Sequence, residues 1–274
     1  RSVFNIMKTK YAFLGVGNMA SAIIKGLMLD GTDPSDTILF DKEKSKISDF
    51  AEKGFRSAES AEEAINFADF IVLAVQPENF AQLFENIRGM NTDGKCFVSI
   101  ATGISIEKIC NLLGHDAAVI RTMPNAPLRI GKGVTALTRN SLVNDKSFAV
   151  VCRMFSRIGE ILTLTEDKMN AVISATSSAP AYVYLFIKSI MDAAKAEGIE
   201  LSEKDMKNVI CRMVIGSAEL MMNSDDSPDA LIKRVTTPGG TTEPAVKVLK
   251  ERGMPEIIAE AMRACVQRAD ELGR

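Results

Sequence analysis

The sequence is short of the residues on which most acid–base and metal sites are built. His115 is its only histidine, which argues against a histidine general base, a Ser-His-Asp triad and a His-rich metal centre. Cysteine is sparse and scattered. Cys96, Cys110, Cys152, Cys211 and Cys265 stand far apart, odd in number and without a CxxC pair. They read as buried thiols of a reducing compartment rather than disulfides or zinc ligands, so no metal is expected. Neither sign of charge dominates: the net charge is −2 with acids and bases interspersed, which leaves no electrostatic footprint for nucleic acid. The most apolar long stretch, 171–187, is broken by Ser and Thr and by Pro180, so no membrane span is expected and the cytoplasm is the default location. No internal repeat or low-complexity tract is visible.

What is present is an ordinary globular balance, 46% apolar and 25% charged over 274 residues, enough for one large domain or two modest ones. Residues 1–6 precede Met7, which reads as the natural start, and they are set aside as an appended remnant. The fold class expected is α/β: a doubly wound, mostly parallel sheet domain over residues 7–166, then an all-helical domain over 167–274.

The front half carries the pattern. A short apolar strand, 10–14, runs into Gly15-Val16-Gly17-Asn18-Met19-Ala20, and a helix with apolar Met19, Ile23, Ile24 and Leu27 follows. This is the GxGxxA dinucleotide fingerprint in its strand–turn–helix setting: Gly15 for the tight turn, Gly17 for close approach of a pyrophosphate, Ala20 for close helix–strand packing. A second strand, 37–40, ends on Asp41, whose carboxylate suits ribose hydroxyls and NAD; Lys42 and Lys44 follow and suit a 2′-phosphate instead. Ser60 to Glu63 is a capping box. The run 70–75 is continuously apolar, as buried parallel strands are, and it delivers Ala74, Val75, Gln76 and Pro77 to the strand end where a cofactor sits. Ala101-Thr102-Gly103, after strand 95–100, is small enough to leave room for a nicotinamide ring. His115 falls in the loop before strand 117–121, at the edge opposite the ligand. The segment from Met123 to Pro127 is too proline-rich for helix or central strand, and its Asn125 suits either a ribose or carboxamide contact or a plain turn. Strands at 133–137 and 160–164 around a helix at 142–157 complete the sheet.

Behind Glu166 the strand signals stop. The stretch 179–196 is apolar almost all round, which predicts a helix buried on every side and a partner chain covering part of it. Lys188 is the one acid–base candidate there, or simply an exposed position. A methionine-rich stripe over 202–223 reads as packing or subunit interface. The chain then turns through Val235-Thr236-Thr237-Pro238-Gly239-Gly240-Thr241-Thr242. Pro238 ends the preceding helix, the glycines let the backbone turn, and Thr241 and Thr242 read as caps of a helix over 242–252. Free N–H groups and two hydroxyls at that helix start make a seat for a small carboxylate.

Together the stretches 15–23, 74–77, 123–127, 178–182 and 235–242, in that order, closely resemble Δ1-pyrroline-5-carboxylate reductases, from about Met7 to the end of the chain. The resemblance implies a Rossmann domain, a helical domain interlocked in a homodimer, and often a ring of such dimers, a decamer. It implies reduction of a cyclic imino acid to proline by NADPH or NADH, through hydride transfer to the imine carbon. The loop would hold the substrate carboxylate through Gly239, Gly240 and Thr241 with Thr237 beside them, Thr242 would orient the ring nitrogen as the catalytic hydroxyl, and Asp225 would lie near the site. The chain departs from its relatives at Gln76, where they usually carry Lys, at Ala61, where many carry Asn, and at Thr176–Ala179, where Ser-Gly-Ser-Gly is usual. Those departures keep two alternatives open: reduction of a related cyclic imine, and a non-catalytic NAD(P)-binding regulator.

Overall fold

The computed structural model describes residues 9–76 and 79–273; the expectations for the first residues and for Pro77 lie outside them. In chain order the first elements are β1 (Tyr11–Leu14), α1 (Asn18–Leu29), β2 (Thr37–Phe40), α2 (Ser45–Ala51), β3 (Arg56–Ser57), α3 (Ala61–Phe67), β4 (Phe70–Leu73) and α4 (Phe80–Ile87). Next come β5 (Cys96–Ser99), α5 (Ile106–Leu113), β6 (Ala118–Pro124), β7 (Gly133–Arg139), α6 (Asp145–Ser156) and β8 (Gly159–Thr163). Helices alone follow: α7 (Met169–Val172), α8 (Ala179–Ala196), α9 (Glu203–Met222), α10 (Pro228–Val235), α11 (Thr242–Glu251) and α12 (Met254–Gly273).

The strands form one eight-stranded sheet in the order β3-β2-β1-β4-β5-β6-β7-β8. Every neighbouring pair is parallel except β6 and β7. Both faces are covered, which is why the strands read as unbroken apolar runs. Phe13, Val72 and Val98 join Ile23, Leu27 and Phe155 on one side. Leu14, Leu73 and Phe97 join Ile65, Phe84 and Ile109 on the other. Strand order reverses between β1 and β4, so a crevice opens beyond their carboxyl ends.

Local chemistry sets the element ends. Ser60 Oγ accepts the Glu63 N–H (3.1 Å), and the Glu63 carboxylate returns to the N–H of Glu59 (2.8 Å), so the capping box closes one residue earlier than its consensus. The stretch 123–127 corrects its expectation. Met123 and Pro124 are the last residues of β6, a central strand, with Pro124 opposite Thr135. Pro124 lies beyond Arg121, the last residue in register with β5, so it has a strand neighbour only on the β7 side. Residues Ala126–Ile130 then form a 3-10 helix with Pro127 in its first turn, a position where no N–H is needed. Between α7 and α8 the chain makes a π-turn over Ile173–Ser177, marked by the Ser178 N–H to Ile173 carbonyl bond (2.8 Å).

By packing the chain forms two compact units. One comprises the described residues up to Ser178 together with those from Cys265 on; the other is Ala179–Ala264. The expectation that α8 is buried on every side is not met within the single chain: it has no buried residue, and Val183, Tyr184, Leu185 and Phe186 are 41–66% exposed. Lys188 is exposed and pairs with Asp192. Of the cysteines only Cys96 is fully buried, and all five are free. Among the described residues no helix is long and apolar enough to cross a membrane.

The sheet core also sets an alkaline limit. Burial pushes the Tyr11 phenol up to about 12 from 10.0 and the Cys96 thiol up to about 12 from 9.0. Each anion is disfavoured in the folded state, so the unfolded chain loses its proton first. Stability from these groups is therefore intact below pH 9 and is lost as pH rises towards 12, at up to ~1.4 kcal/mol per pH unit for each. Urea midpoints measured near pH ~8 and ~11 should fall less in Tyr11→Phe and Cys96→Ala than in the wild type.

Candidate active site

The turn after β1 explains its glycines one by one. Gly15 has φ +99, and a Cβ there would lie 2.7 Å from the Ala74 carbonyl oxygen just past the end of β4; no other residue fits. Gly17 has an ordinary φ of −83 and serves as N-cap of α1 without any side-chain cap. A Cβ on Gly17 would meet nothing within 4 Å. The space over the first N–H groups of α1, from Asn18, Met19 and Ala20, is therefore open, at the end of the helix that favours anions. Ala20 itself is buried against the sheet, as expected of the third fingerprint position.

A cavity of about 320 Å³ opens beside this turn. It gathers Gly15, Gly17, Asp41, Lys42, Ala74, Val75 and Gln76, all anticipated from sequence, together with Glu43, Lys46, Asn79, Leu83 and Asn86, which were not. Asp41 is partly committed: one carboxylate oxygen accepts the Val16 N–H (2.8 Å), the other the Glu43 N–H (2.9 Å). It thus braces the end of β2 against the glycine turn. Of the two lysines considered from sequence, Lys42 lines the cavity and bonds Gln82. Lys44 instead faces Glu59 (2.9 Å) and the Ala58 carbonyl. Lys46 adds the second cation at the cavity, with its pKa raised by the hydrogen bond to Glu43 and then by the charge of Asp41. A cradle that a glycine leaves open, the carboxylates of Asp41 and Glu43 and two ammonium groups suit the phosphates and ribose of a dinucleotide.

Two expectations near the strand ends are revised. Asn125 does not present a free amide: its Oδ1 accepts the Val134 N–H (2.9 Å) and its Nδ2 donates to the Thr176 carbonyl (3.2 Å). Gly103 makes room for the protein itself, since a Cβ there would lie 2.8 Å from the Ala269 carbonyl oxygen of α12. Ala101 is buried and Thr102 half-buried; neither lines this cavity, and both follow β5, the strand paired with β4, whose end does line it. His115 does sit at the opposite edge, in a cavity of about 490 Å³ before β5 and β6, where its Nε2 and the Thr92 hydroxyl are 2.7 Å apart.

In the second unit, α10 stops at Val235, two residues before Thr237-Pro238. Gly239 takes φ +74, and the Gly240 N–H closes the turn on the Thr237 carbonyl (2.9 Å). The threonines do not cap α11 as expected: Thr241, at the N-cap position, has helical backbone angles and no side-chain cap bond. Glu243 takes that role, its Oε2 accepting the Gly239 N–H at 2.8 Å. Thr237 and Thr241 are exposed, Thr242 half-buried and Asp225 exposed, while Asp226 pairs with Arg234 (2.6 Å).

Both halves of the chain match known families. Residues 166–272 match the family model for pyrroline-5-carboxylate reductase dimerisation, and residues 10–103 that for NADP oxidoreductase, coenzyme F420-dependent. The pyrroline-5-carboxylate reductase of Escherichia coli K12 is 33% identical over 270 residues, 98% of this chain and all of that one. The chain belongs to the pyrroline-5-carboxylate reductase family. A reductase structure from Coxiella burnetii superposes with a TM-score of 0.87 at 29% identity, covering 97% of this chain and 99% of that one. The Plasmodium falciparum pyrroline carboxylate reductase with NADP bound gives 0.86 at 26% identity, over 97% and 98%. The α/β fold, followed by a helical dimerisation region, is thus that of the reductase family.

Proposed function

We propose that this chain reduces Δ1-pyrroline-5-carboxylate to L-proline with NADPH or NADH. The observation that carries the reading is the end-to-end match to the Escherichia coli reductase, supported by the open seat at Gly17 and a second glycine turn at Gly239. The cofactor binds against Gly15, Gly17, the N–H groups of Asn18, Met19 and Ala20, Asp41, Lys42 and the stretch from Ala74 to Pro77, with Ala101 and Thr102 towards the nicotinamide. The reduced nicotinamide supplies a hydride to the imine carbon. Gly239, Gly240, Thr241 and Thr237 hold the substrate carboxylate, Thr242 orients the ring nitrogen and Asp225 lies beside them. A cyclic imine takes a proton from water readily, so the chain needs only to position and stabilise it. A sole histidine at the far edge of the sheet fits that economy.

The dimerisation model that begins at residue 166 supports a division into residues 7–166 for the cofactor and 167–274 for substrate and self-association. The exposed apolar side chains of α8 and α9, among them Leu185, Phe186, Met213 and Leu220, support a homodimer whose partner covers them; a ring of dimers, a decamer, and a cytoplasmic location belong to the same reading. The test is loss of reduced-nicotinamide absorbance with NADPH or NADH and Δ1-pyrroline-5-carboxylate, then the six-membered homologue. Turnover of the five-membered imine is expected. Turnover of the larger ring alone would point to a related cyclic-imine reductase, and cofactor binding without turnover to a regulator.

A further inference from the structure

Arg121, on β6, is the one cation among the described residues that is fully buried, 2% exposed. Its Nη1 donates to Glu166 Oε1 (3.2 Å) and its Nη2 to Asn170 Oδ1 (2.5 Å). Burial pushes the guanidinium pKa down, and Glu166 opposes that. Neither partner stops there. The same Glu166 oxygen accepts the Ile106 N–H (3.0 Å), at the end of the loop that follows β5. Asn170 Nδ2 donates to Asp270 Oδ1 (2.6 Å) in the last turns of α12. Those turns lie directly on the post-β5 loop: Gly103, at φ +78, has no room for a Cβ beneath the Ala269 carbonyl, and Lys108 Nζ donates to the Leu272 carbonyl (3.3 Å). One buried guanidinium therefore joins three segments, and the loop among them begins with Ala101 and Thr102.

We propose that Arg121 is a positioning residue for the nicotinamide end of the cofactor site, acting through Glu166 and Asn170 to fix the 101–106 loop against the last turns of α12. The inference rests on the reading that Ala101 and Thr102 face the cofactor. The bonds at Nη1 and Nη2 are directional and fix the segments they reach, while Nε is buried without a partner, and small displacements of a loop beside a reacting centre reduce rate and affinity steeply. The end of the chain thereby contributes to cofactor affinity through contacts made at its own exposed edge.

The experiment measures NADPH dissociation constants by fluorescence, without substrate, and hydrogen exchange at the Ile106 amide, for wild type, Asn170→Ala, Asp270→Ala, Arg121→Lys and Arg121→Met. Asp270 is exposed, so Asp270→Ala leaves the core intact. Asn170→Ala and Asp270→Ala are expected to weaken NADPH binding about 3- to 10-fold and to speed exchange at Ile106, with the KM for the imine unchanged. Arg121→Met should weaken binding further, and Arg121→Lys should recover part of it. Unchanged NADPH affinity and exchange in the two outer variants, with only a lowered Tm in Arg121→Met, would overturn the proposal. Gly17→Ala separates the two readings: if it too leaves NADPH affinity unchanged, the cofactor site itself has been misread.

Discussion

Gly17→Ala is expected to fold like the wild type and to bind NAD(P)H about 10- to 100-fold more weakly, while Gly15→Ala loses both stability and binding. The two glycines stand two residues apart in one fingerprint, yet the structure asks different things of them. At Gly15 a methyl would meet the Ala74 carbonyl oxygen at 2.7 Å, from a backbone at φ +99. Left-handed strain of about 1–3 kcal/mol adds to overpacking of about 1–3 kcal/mol, and the clash is with backbone that cannot swing away. At Gly17 the backbone is ordinary and a methyl meets nothing within 4 Å, so stability should fall by no more than about 1 kcal/mol, the preference for glycine over alanine at an N-cap. The methyl would instead stand where a pyrophosphate approaches the helix N–H groups. Losing a charge-assisted hydrogen bond there costs about 1.5–3 kcal/mol. Urea unfolding and NADPH titration read the two effects separately. Wild-type affinity in Gly17→Ala would mean that the open space is not the cofactor's seat.

Much of this site is legible in the amino-acid order alone. A strand buried on both faces must be apolar throughout, which makes β1, β4 and β5 conspicuous, and the glycine turn announces which strand end carries the ligand. The features that stay hidden depend on tertiary placement. β3 is only two residues, Arg56 and Ser57, too short to show alternation. Lys46 reads as one more charge in the run after Asp41; only the first turn of α2 brings it to the cavity while sending Lys44 away. Asn79, Leu83 and Asn86 do carry a signal, since they fall at i, i+4 and i+7 on one face from the N-cap of α4 to its last turn, but that signal points to no ligand unless the cavity beside it is known. Asn125 and Gly103 mislead the other way. Polar and small residues beside a strand end invite a ligand role, yet both serve the chain's own backbone. The threonine caps fail for a related reason: Glu243, a residue further on, reaches back to Gly239 first.

That contact leads to the second large effect: Thr242→Ala and Glu243→Ala should move the reaction in opposite directions. Thr242 opens α11 and is half-buried, and as the hydroxyl that orients the ring nitrogen its loss should lower kcat/KM for the imine about 10- to 100-fold, the worth of a hydrogen bond to a charged group. NADPH affinity should be unaffected. Glu243 holds with its own carboxylate, at 2.8 Å, the Gly239 N–H that the proposed function assigns to the substrate carboxylate. Substrate must displace it and then sit beside its charge, a repulsion of about 1 kcal/mol for exposed groups 4 Å apart. Glu243→Ala should therefore lower the KM for the imine about 3- to 10-fold, the net worth of one exposed hydrogen bond together with that repulsion, and Glu243→Gln should fall between, keeping an acceptor without the charge. Added salt should narrow the gap between wild type and Glu243→Gln, because screening weakens only the charge effect. Steady-state kinetics on the three variants decide the matter. A raised KM in Glu243→Ala would make that carboxylate a prop for the loop rather than a competitor for its N–H, and the seat of the substrate carboxylate would have to lie elsewhere in the loop.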